Sequence, residues 1–327
     1  MTERSVPFGR RTFAAIAAVL FVCFFSVQCG QSPTGPTPSP APTPTVPDPN
    51  GPFVPPVVGG SVLFSGAGDI GECTGGPAAT GRMLANLGGT IFTTGDNAYP
   101  NGTFSDFNCY DSTWGSFKDR TYPVPGNHEY ADDHRSDANA YFAYFGTNAG
   151  QPGRGYYAYD VGSWRIIALN SNFKSPESIG VGPGSAQMAF LQGELQTSHQ
   201  RCVLAYWHHP LFTSGQNGPS PDMRPIFRAL YDANADVVLN GHDHIYERFK
   251  PQDADGRFDA ARGIREFIVG TGGHPLLTPR ATAAGNSDAF VSGQHGILKL
   301  TLNADSYAWE FVTTTGAVMD SGSGSCH

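Results

Sequence analysis

Five apolar segments of this chain each run into a short polar turn that carries carboxylate, amide or imidazole side chains. Segment 91–94 leads directly into Gly95-Asp96, and Tyr99 follows three residues after the aspartate. The other turns are Gly68-Asp69, Gly126-Asn127-His128-Glu129, Trp207-His208-His209-Pro210 and Gly241-His242-Asp243-His244. One Gly-Asp pair after a strand most often caps a helix, but five such strand ends predict a polar edge shared by parallel strands.

From residue 60 onward, the hydrophobic pattern alternates between strands and helices. It predicts strands at 62–65, 91–94, 122–125, 156–161, 164–169, 202–206, 237–239, 266–269, 296–302 and 307–313. It predicts helices at 80–87, 106–117, 137–145, 185–197 and 223–233. This alternation indicates α/β layers within one domain, 59–327, and the strand-rich end of the chain favours a second sheet packed on the first.

Residues 1–29 have the features of a signal peptide. Arg4, Arg10 and Arg11 form a positive start, and residues 13–27 are apolar and uncharged. That run is shorter than the ~20 residues that a membrane-spanning helix needs. Arg10-Arg11 also fits a twin-arginine signal, with an ordinary secretory signal as the alternative. We therefore expect an exported protein, periplasmic or extracellular.

The residues after the apolar run suggest an attachment point and a spacer. Cys29 resembles the acylation site of a bacterial lipoprotein, although Gln28 stands where such signals usually carry a small residue. Residues 30–58 hold a proline at nearly every second or third position, which is typical of an extended linker without a core of its own. A lipid-anchored protein on a stalk and an unlipidated exported protein both remain open.

The charge of the chain bears on its partners. The formal net charge is −8, and removal of the signal segment, with three arginines and one glutamate, makes it more negative. An acidic chain argues against nucleic acid as the main partner.

Four cysteines follow Cys29, an even number that suits disulfides in an exported protein. Cys73 and Cys109 are the preferred pair because each follows a strand of the polar edge by a short loop. Cys202 is then left either to pair with Cys326 or to remain a free, buried thiol.

The polar turns together offer seven metal ligands. One mononuclear site that keeps positions open for water and substrate cannot use seven ligands, whereas two ions that share a bridging carboxylate can. Mixed oxygen and imidazole donors suit iron, zinc or manganese. Two ions ~3.5–4 Å apart stabilise the attacking and leaving oxygens of phosphoryl transfer. The predicted ligands are Asp69, Asp96, Tyr99, Asn127, His208, His242 and His244.

The five turns, in this order, resemble the calcineurin-like metallophosphoesterases and in particular their purple acid phosphatase branch. Asp69 is followed by Ile70-Gly71 rather than by the Asp-x-His of calcineurin itself, and Tyr99 stands where this branch supplies a replacement ligand. The resemblance implies a four-layer α/β sandwich of two mixed sheets flanked by helices. It also implies a compact form like that of bacterial relatives, and we expect no separate N-terminal β-domain such as the plant enzymes have.

The resemblance also implies a role for each residue. Asp69, Tyr99 and His244 would hold one metal, typically ferric iron. Asn127, His208 and His242 would hold a divalent ion (zinc, iron or manganese), with Asp96 as the bridge. His128 would bind phosphate and protonate the leaving group, and Glu129 would orient His128. His209 is either a second imidazole that faces the phosphate or a residue that orders its own turn.

These features predict a phosphatase that hydrolyses small phosphate monoesters by attack of a metal-bound hydroxide. A phosphodiesterase acting on nucleotides or phospholipid headgroups is the nearest alternative. A surface lipoprotein that captures phosphate or metal without turnover is the alternative outside enzymes, as is an envelope interaction module that depends on the linker.

Three further clusters carry weaker signals. His134 with Asp132 and Asp133 is typical of a solvated loop. Residues 270–273, Gly-Thr-Gly-Gly before His274, predict a turn near the metals rather than a phosphate loop, because no helix pattern follows. Residues 253–256 lack the later glutamate that an EF-hand requires.

Overall fold

A computed structural model of the chain describes residues 60–73, 75–131, 137–172 and 179–327, all within one compact unit. The predicted signal peptide (1–29), the linker (30–58), Cys29 and the cluster of Asp132, Asp133 and His134 lie outside the described residues. Among the helices of the described part, none is long and apolar enough to cross a membrane.

The described chain contains thirteen strands and five α-helices, with short 3₁₀ turns between them. The strands are β1 Val62–Gly66, β2 Thr90–Thr93, β3 Thr121–Pro123, β4 Tyr157–Val161, β5 Trp164–Ala168, β6 Cys202–Tyr206, β7 Val237–Asn240, β8 Tyr246–Phe249, β9 Arg265–Val269, β10 Ser287–Val291, β11 Gly296–Leu302, β12 Ser306–Thr313 and β13 Val318–Ser325. The helices are α1 Gly76–Ala85, α2 Phe104–Thr113, α3 Asn139–Phe145, α4 Ala186–Thr197 and α5 Arg224–Asp232.

The strands form two mixed sheets. The first has the order β13-β12-β11-β1-β2-β3, and the second has the order β10-β8-β9-β7-β6-β5-β4. β1, β2 and β3 are parallel to one another, as are β5, β6, β7 and β9, so each sheet has several strand ends at one edge. β3 is only three residues long and lies at the outer edge, a position that tolerates Pro123 because this residue has no backbone N–H.

The end of the chain does not form a sheet of its own, contrary to the expectation from its strand-rich pattern. β11 pairs antiparallel with β1, so β11, β12 and β13 extend the first sheet, while β9 joins β7 in the second. This pairing covers the edge of β1 that would otherwise expose unpaired backbone groups. The sequence pattern also missed β13, which has no apolar face because six of its eight residues are exposed.

The helices correspond to the predicted ones with shifted ends. α2 begins two residues early because the side chain of Thr103 accepts the N–H of Asp106 and Asp106 accepts the N–H of Thr103, a capping box. It ends at Thr113, and a 3₁₀ turn, Gly115–Arg120, takes the rest of the predicted helix. The hydroxyl of Ser185 accepts the N–H of Met188 and caps α4.

Aromatic side chains join the facing surfaces of the two sheets. The rings of Phe64 in β1 and Phe92 in β2 lie 4.9 Å apart, and both approach Tyr206 of β6 at 6.2 and 6.3 Å. Further along, Tyr246 of β8 stacks on Phe311 of β12 at 4.1 Å. The opposite face of the second sheet is covered by α4 and α5. This is the predicted arrangement of two mixed sheets flanked by helices.

The described residues contain two disulfide bonds. Cys73 is bonded to Cys109 of α2, and Cys202 of β6 is bonded to Cys326. The first bond is the pair favoured from the sequence. The second shows that Cys202 is not a free thiol, and it ties the chain end to a central strand.

Glu266 is a fully buried carboxyl group on β9, and burial together with the nearby charge of Glu247 raises its pKa well above the ordinary value. In the unfolded chain this group loses its proton near pH 4.5. The folded chain keeps that proton to higher pH, so the contribution of Glu266 to stability falls as pH rises above about 4.5.

We therefore expect Glu266→Gln to reduce the loss of unfolding free energy between pH 5 and pH 8, by up to about 1.4 kcal/mol per pH unit. Urea denaturation at several pH values measures this difference. Glu310→Gln, which removes a half-exposed carboxylate on β12, is the control. Parallel curves for wild type and Glu266→Gln would contradict the assignment.

Candidate metal centre

All seven predicted ligands lie at the carboxyl ends of parallel strands and meet at one place between the two sheets. Those from the first sheet follow β1, β2 and β3, and those from the second follow β6 and β7. Most of them are nearly or completely buried. The residues are Asp69, Asp96, Tyr99, Asn127, His208, His242 and His244.

The ring of His208 faces three atoms that also carry lone pairs. Its Nδ1 lies 2.8 Å from the carbonyl oxygen of Thr94, which can only accept, so the Nδ1 proton is donated there. In the neutral ring the lone pair is then on Nε2. That nitrogen lies 3.1 Å from Asp96 Oδ2, 3.0 Å from Asn127 Oδ1 and 3.2 Å from His242 Nδ1. Lone pairs that converge in this way leave a place for a cation.

His244 repeats this arrangement on the other side of Asp96. Its Nδ1 donates to the carbonyl oxygen of Pro275 at 2.7 Å. Its Nε2 therefore faces the phenolic oxygen of Tyr99 at 3.3 Å and Asp69 Oδ1 at 3.4 Å. The same phenolic oxygen lies 3.1 Å from Asp96 Oδ2, so the two groups of ligands share Asp96.

The backbone is shaped around these carboxylates. Asp69, Asp96 and His242 all have positive φ angles, of 56°, 50° and 69°, a region that non-glycine residues seldom occupy. Such strain is typical of functional sites, where the surrounding structure holds it in place. At Gly126 a Cβ atom would lie 2.1 Å from Asp96 Oδ1, so only glycine allows the main chain to come this close.

Backbone N–H groups hold the two aspartates from the protein side. The N–H of His128 donates to Asp96 Oδ1 at 2.9 Å, and the N–H of His242 donates to Asp69 Oδ2 at 2.9 Å. One oxygen of each carboxylate is therefore fixed by the main chain, while the other faces the imidazoles. This orientation suits ligands of a metal, which need an oriented lone pair.

Positive charge stabilises the buried carboxylate of Asp96. Burial alone would raise the pKa of Asp96, but the charge of His208 and the hydrogen bond between the two side chains hold that pKa far below its usual range. Burial would lower the pKa of His208, yet the charge of Asp96 raises it to about 9. Burial and the charge of His208 lower the pKa of His242 to about 4. A metal cation would supply the charge that protons supply here.

The donor set fits the binuclear centre expected from the sequence. Carboxylate, amide, phenol and imidazole donors form two groups on either side of Asp96, and none of the described residues places a thiolate there. Asp69, Asp96 and His208 place ligand atoms within 4.8 Å of one another, as do His208, His209 and His242. These donors suit borderline and hard metals.

His128 lies at the open side of the site. Its Nε2 is 3.8 Å from Asp96 Oδ2, and its side chain is 24% exposed, whereas Asp96 and His208 are buried. Its Nδ1 is bound by the carbonyl oxygen of Pro100 at 2.6 Å. This position is compatible with contact between Nε2 and a bound ester.

Glu129 lies beside His128 in the chain, and its carboxylate contacts the backbone of two loops. The ring of His128 is oriented through Pro100, whereas the carboxylate of Glu129 accepts backbone N–H groups of Asn97, Ala98 and Gly126 at 2.8, 3.0 and 2.7 Å. Glu129 thereby joins the loop after β2 to the loop after β3. Burial and the charge of Asp96 raise the pKa of Glu129 to about 7.

His209 is held by a residue that the sequence analysis did not single out. Its Nδ1 lies 2.8 Å from the hydroxyl of Ser171, which also accepts the N–H of His209 at 2.9 Å. Its ring is 4.5 Å from that of His242, so His209 borders the ligand cluster. Ser171 follows β5, and the run Asn170-Ser171-Asn172 was a sixth polar strand end available in the sequence.

The chain matches a known family over the part that contains this site. The model of the family described as calcineurin-like phosphoesterase matches residues 66–246, more than half of the chain, from the end of β1 to the start of β8. All seven ligands fall within the match.

Curated relatives with similar sequences are plant phosphatases. Probable purple acid phosphatase 20 of Arabidopsis thaliana is 28% identical over 198 residues, which are 53% of this chain and 44% of the relative. Purple acid phosphatase 17 of the same plant is 22% identical over 202 residues, 51% of this chain and 56% of the relative. The chain thus spans about half the length of these relatives.

Solved structures share the fold. A purple acid phosphatase from yellow lupin (Lupinus luteus) seeds has a TM-score of 0.70 at 18% identity, covering 81% of this chain and 54% of its own. The anchor protein of the inner membrane complex of Plasmodium has a TM-score of 0.65 at 16% identity, covering 82% of this chain and 90% of its own.

The Glu129 contacts predict how the loops of the site depend on one carboxylate. Glu129→Ala leaves three buried N–H groups without this acceptor, and an unsatisfied buried group costs about 1–3 kcal/mol. We expect a loss of at least 3 kcal/mol of unfolding free energy, measured by urea denaturation. Asp106→Ala is the control, because its carboxylate also accepts backbone N–H groups but in an exposed turn, where about 1 kcal/mol is expected. Equal losses in the two variants would contradict this role.

Proposed function

Because this chain belongs to the calcineurin-like phosphoesterase family, we propose that it is an exported phosphatase that hydrolyses phosphate monoesters with two metal ions. The observation that carries this proposal is the convergence of imidazole, phenol and carboxylate groups from both sheets on Asp96. His208 Nε2 and the phenolic oxygen of Tyr99 both lie 3.1 Å from the same carboxylate oxygen. In the metal-free chain hydrogen bonds join these groups, and without their protons the same atoms would serve as ligands of two ions that share Asp96.

The ligands divide between two ions as the geometry groups them. Asp69, Tyr99 and His244 would hold one ion, and Asn127, His208 and His242 would hold the other, with Asp96 between them. Two bound ions lower the pKa of water and stabilise the charge that develops on a transferred phosphoryl group. We propose ferric iron with zinc, iron or manganese, as the donor set and the resemblance to purple acid phosphatases favour.

His128 provides the proton step. Its Nδ1 stays bonded to the Pro100 carbonyl oxygen, which leaves Nε2 to donate to an ester oxygen when the ring is protonated. Transfer of that proton to the departing alkoxide avoids release of a strong base. We therefore expect His128→Ala to lower kcat about 10²–10⁴-fold, more for an alkyl phosphate than for an aryl phosphate, whose leaving group needs the proton less.

Several features support export. Both disulfides link cysteines of the catalytic domain, 59–327, and disulfides persist in oxidising compartments. The N-terminal segment has a signal-peptide pattern, followed by Cys29 and the proline-rich linker. We propose that Cys29 is acylated and that 30–58 spaces the domain from a membrane. The mass of the mature protein tests this, because a chain that begins elsewhere or carries no acyl groups contradicts it.

The central experiment compares an aryl phosphate monoester with the matching diester, using the full mature chain loaded with iron and zinc. Asp96→Asn removes the shared carboxylate, and we expect its monoester turnover to fall to the uncatalysed background. Asp305→Asn is the matched control. It changes an exposed aspartate in the β11–β12 turn, at the opposite end of β1 from the site, and should leave turnover unchanged.

The alternatives make different predictions in that experiment. Preference for the diester would replace the monoester proposal with a phosphodiesterase. Absence of turnover with either ester, after loading with iron, zinc or manganese, would favour the capture lipoprotein. The Plasmodium relative is described as an anchor, so the fold by itself does not require catalysis. The ligand geometry is what favours an enzyme here.

A further inference from the structure

The loop after β9 brings an unassigned imidazole against one of the proposed metal ligands. We propose that His274 positions the ring of Tyr99 by stacking on it. This inference rests on the proposed binuclear site, because it concerns the affinity of the metal that Tyr99 would bind. It adds the end of β9 to the strand ends that surround the site.

The contact between the two rings is close and nearly parallel. The ring centroids of Tyr99 and His274 are 3.6 Å apart, with an angle of 5° between the planes. The ring of His128 approaches Tyr99 from another direction at 4.2 Å, tilted by 43°. The ring of His244 meets His274 edge-on at 5.0 Å. Tyr99 is therefore packed between imidazoles and is only 5% exposed.

The main chain fixes the position of His274 relative to the ligands. Its N–H donates to the carbonyl oxygen of Asp69 at 2.9 Å, and the N–H of Gly272 donates to Gly68 at 2.8 Å. The carbonyl oxygen of His274 lies 3.1 Å from His295 Nε2. The loop after β9 is thus attached to the loop after β1, which supplies the first ligand.

The glycines of this loop have a steric role. A Cβ atom at Gly270 would lie 2.7 Å from Asp69 Oδ2 and 2.2 Å from the carbonyl oxygen of Asp243. Glycine, which has no Cβ atom, is therefore required at this position for the loop to approach the carboxylate. This explains the run of residues 270–273 as a turn packed on the site, in agreement with the sequence analysis.

Glu72 belongs to the loop after β1, as Asp69 does. Its Oε1 lies 3.2 Å from His274 Nδ1, a buried nitrogen without a hydrogen-bond partner among the described residues. Glu72 follows Gly71, whose carbonyl oxygen accepts the N–H of Tyr99 at 3.1 Å. Tyr99, Glu72 and His274 therefore belong to three loops that are bonded to one another.

The consequence of the stack is a fixed direction for the phenolic oxygen. That oxygen lies 3.2 Å from Asp69 Oδ1, 3.1 Å from Asp96 Oδ2 and 3.3 Å from His244 Nε2. A swing of the whole side chain about χ1 would move this oxygen away from all three atoms, and the ring of His274 blocks that swing on the face it covers. Residues that orient a metal ligand change metal affinity about 10–100-fold when they are removed.

The test measures zinc binding by the full mature chain, with metal content from elemental analysis and affinity from competition with a chelator. We expect two zinc ions per wild-type chain. In His274→Ala one of the two should bind about 10–100-fold more weakly, in the same direction as in Tyr99→Phe, which lacks the phenolic oxygen. In His274→Phe the affinity should stay close to that of wild type, because a flat ring can still stack.

Two controls separate stacking from other effects. His199→Ala removes an exposed imidazole in the loop before β6, at the opposite end of that strand from His208, and should not change zinc binding. His274→Gln retains polarity without a ring, so it should resemble His274→Ala. Thermal unfolding of the metal-free variants identifies any that fail to fold, and the Phe and Gln variants keep the comparison intact if Ala does.

Two results would overturn the inference: wild-type zinc affinity in His274→Ala and His274→Gln, or equal weakening in His274→Phe and His274→Ala. The second result would mean that a ring nitrogen matters and the stack does not. The ester assay distinguishes this from a failure of the proposed function. A wild-type chain that binds two zinc ions but cleaves no ester contradicts the phosphatase and leaves the role of His274 standing.

Discussion

One carboxylate, that of Asp96, connects the two halves of the structure. Its Oδ1 accepts a backbone N–H from the loop after β3, and its Oδ2 faces His208 from the second sheet and Tyr99 from its own loop. In a buried position this carboxylate is stable only with hydrogen-bond donors and positive charge around it. Residues from both sheets reach one oxygen atom of Asp96. The two sheets must therefore keep a fixed position relative to each other at this edge.

The other contacts around the site hold these residues in place relative to Asp96. Glu129 joins the loops after β2 and β3, and Ser171 holds His209 beside His242. Aromatic rings such as Phe64 and Tyr206 close the space between the sheets just below the site. The disulfide between Cys202 and Cys326 attaches the chain end to the strand that carries His208. Rigid elements therefore position the ligands from both sides.

The sequence predicted which donor residues come together better than it predicted the residues that support them. Asp69, Asp96 and the histidines after β6 and β7 stand in short motifs that combine a strand end with a donor, so local pattern is enough. Ser171 and His274 contact residues distant in sequence, so the polar run 170–172 and the glycine-rich turn 270–273 mark loops near the site without showing these contacts. The order of the strands was also beyond local pattern, because β11 pairs with β1 across more than two hundred residues.

Glu129 shows that a motif can identify a residue without showing all of its contacts. It follows His128 directly, and adjacency favoured an orienting contact with that ring. In a 3₁₀ turn, however, successive side chains point in different directions, and here Glu129 points inward to backbone amides while His128 points to the open side. The backbone is also strained at the site, because Asp69, Asp96 and His242 have positive φ angles. Buried charge and unfavourable φ angles are both concentrated at this site. A bound metal would compensate the charge, and the two sheets around the site supply the stability that the strained backbone lacks.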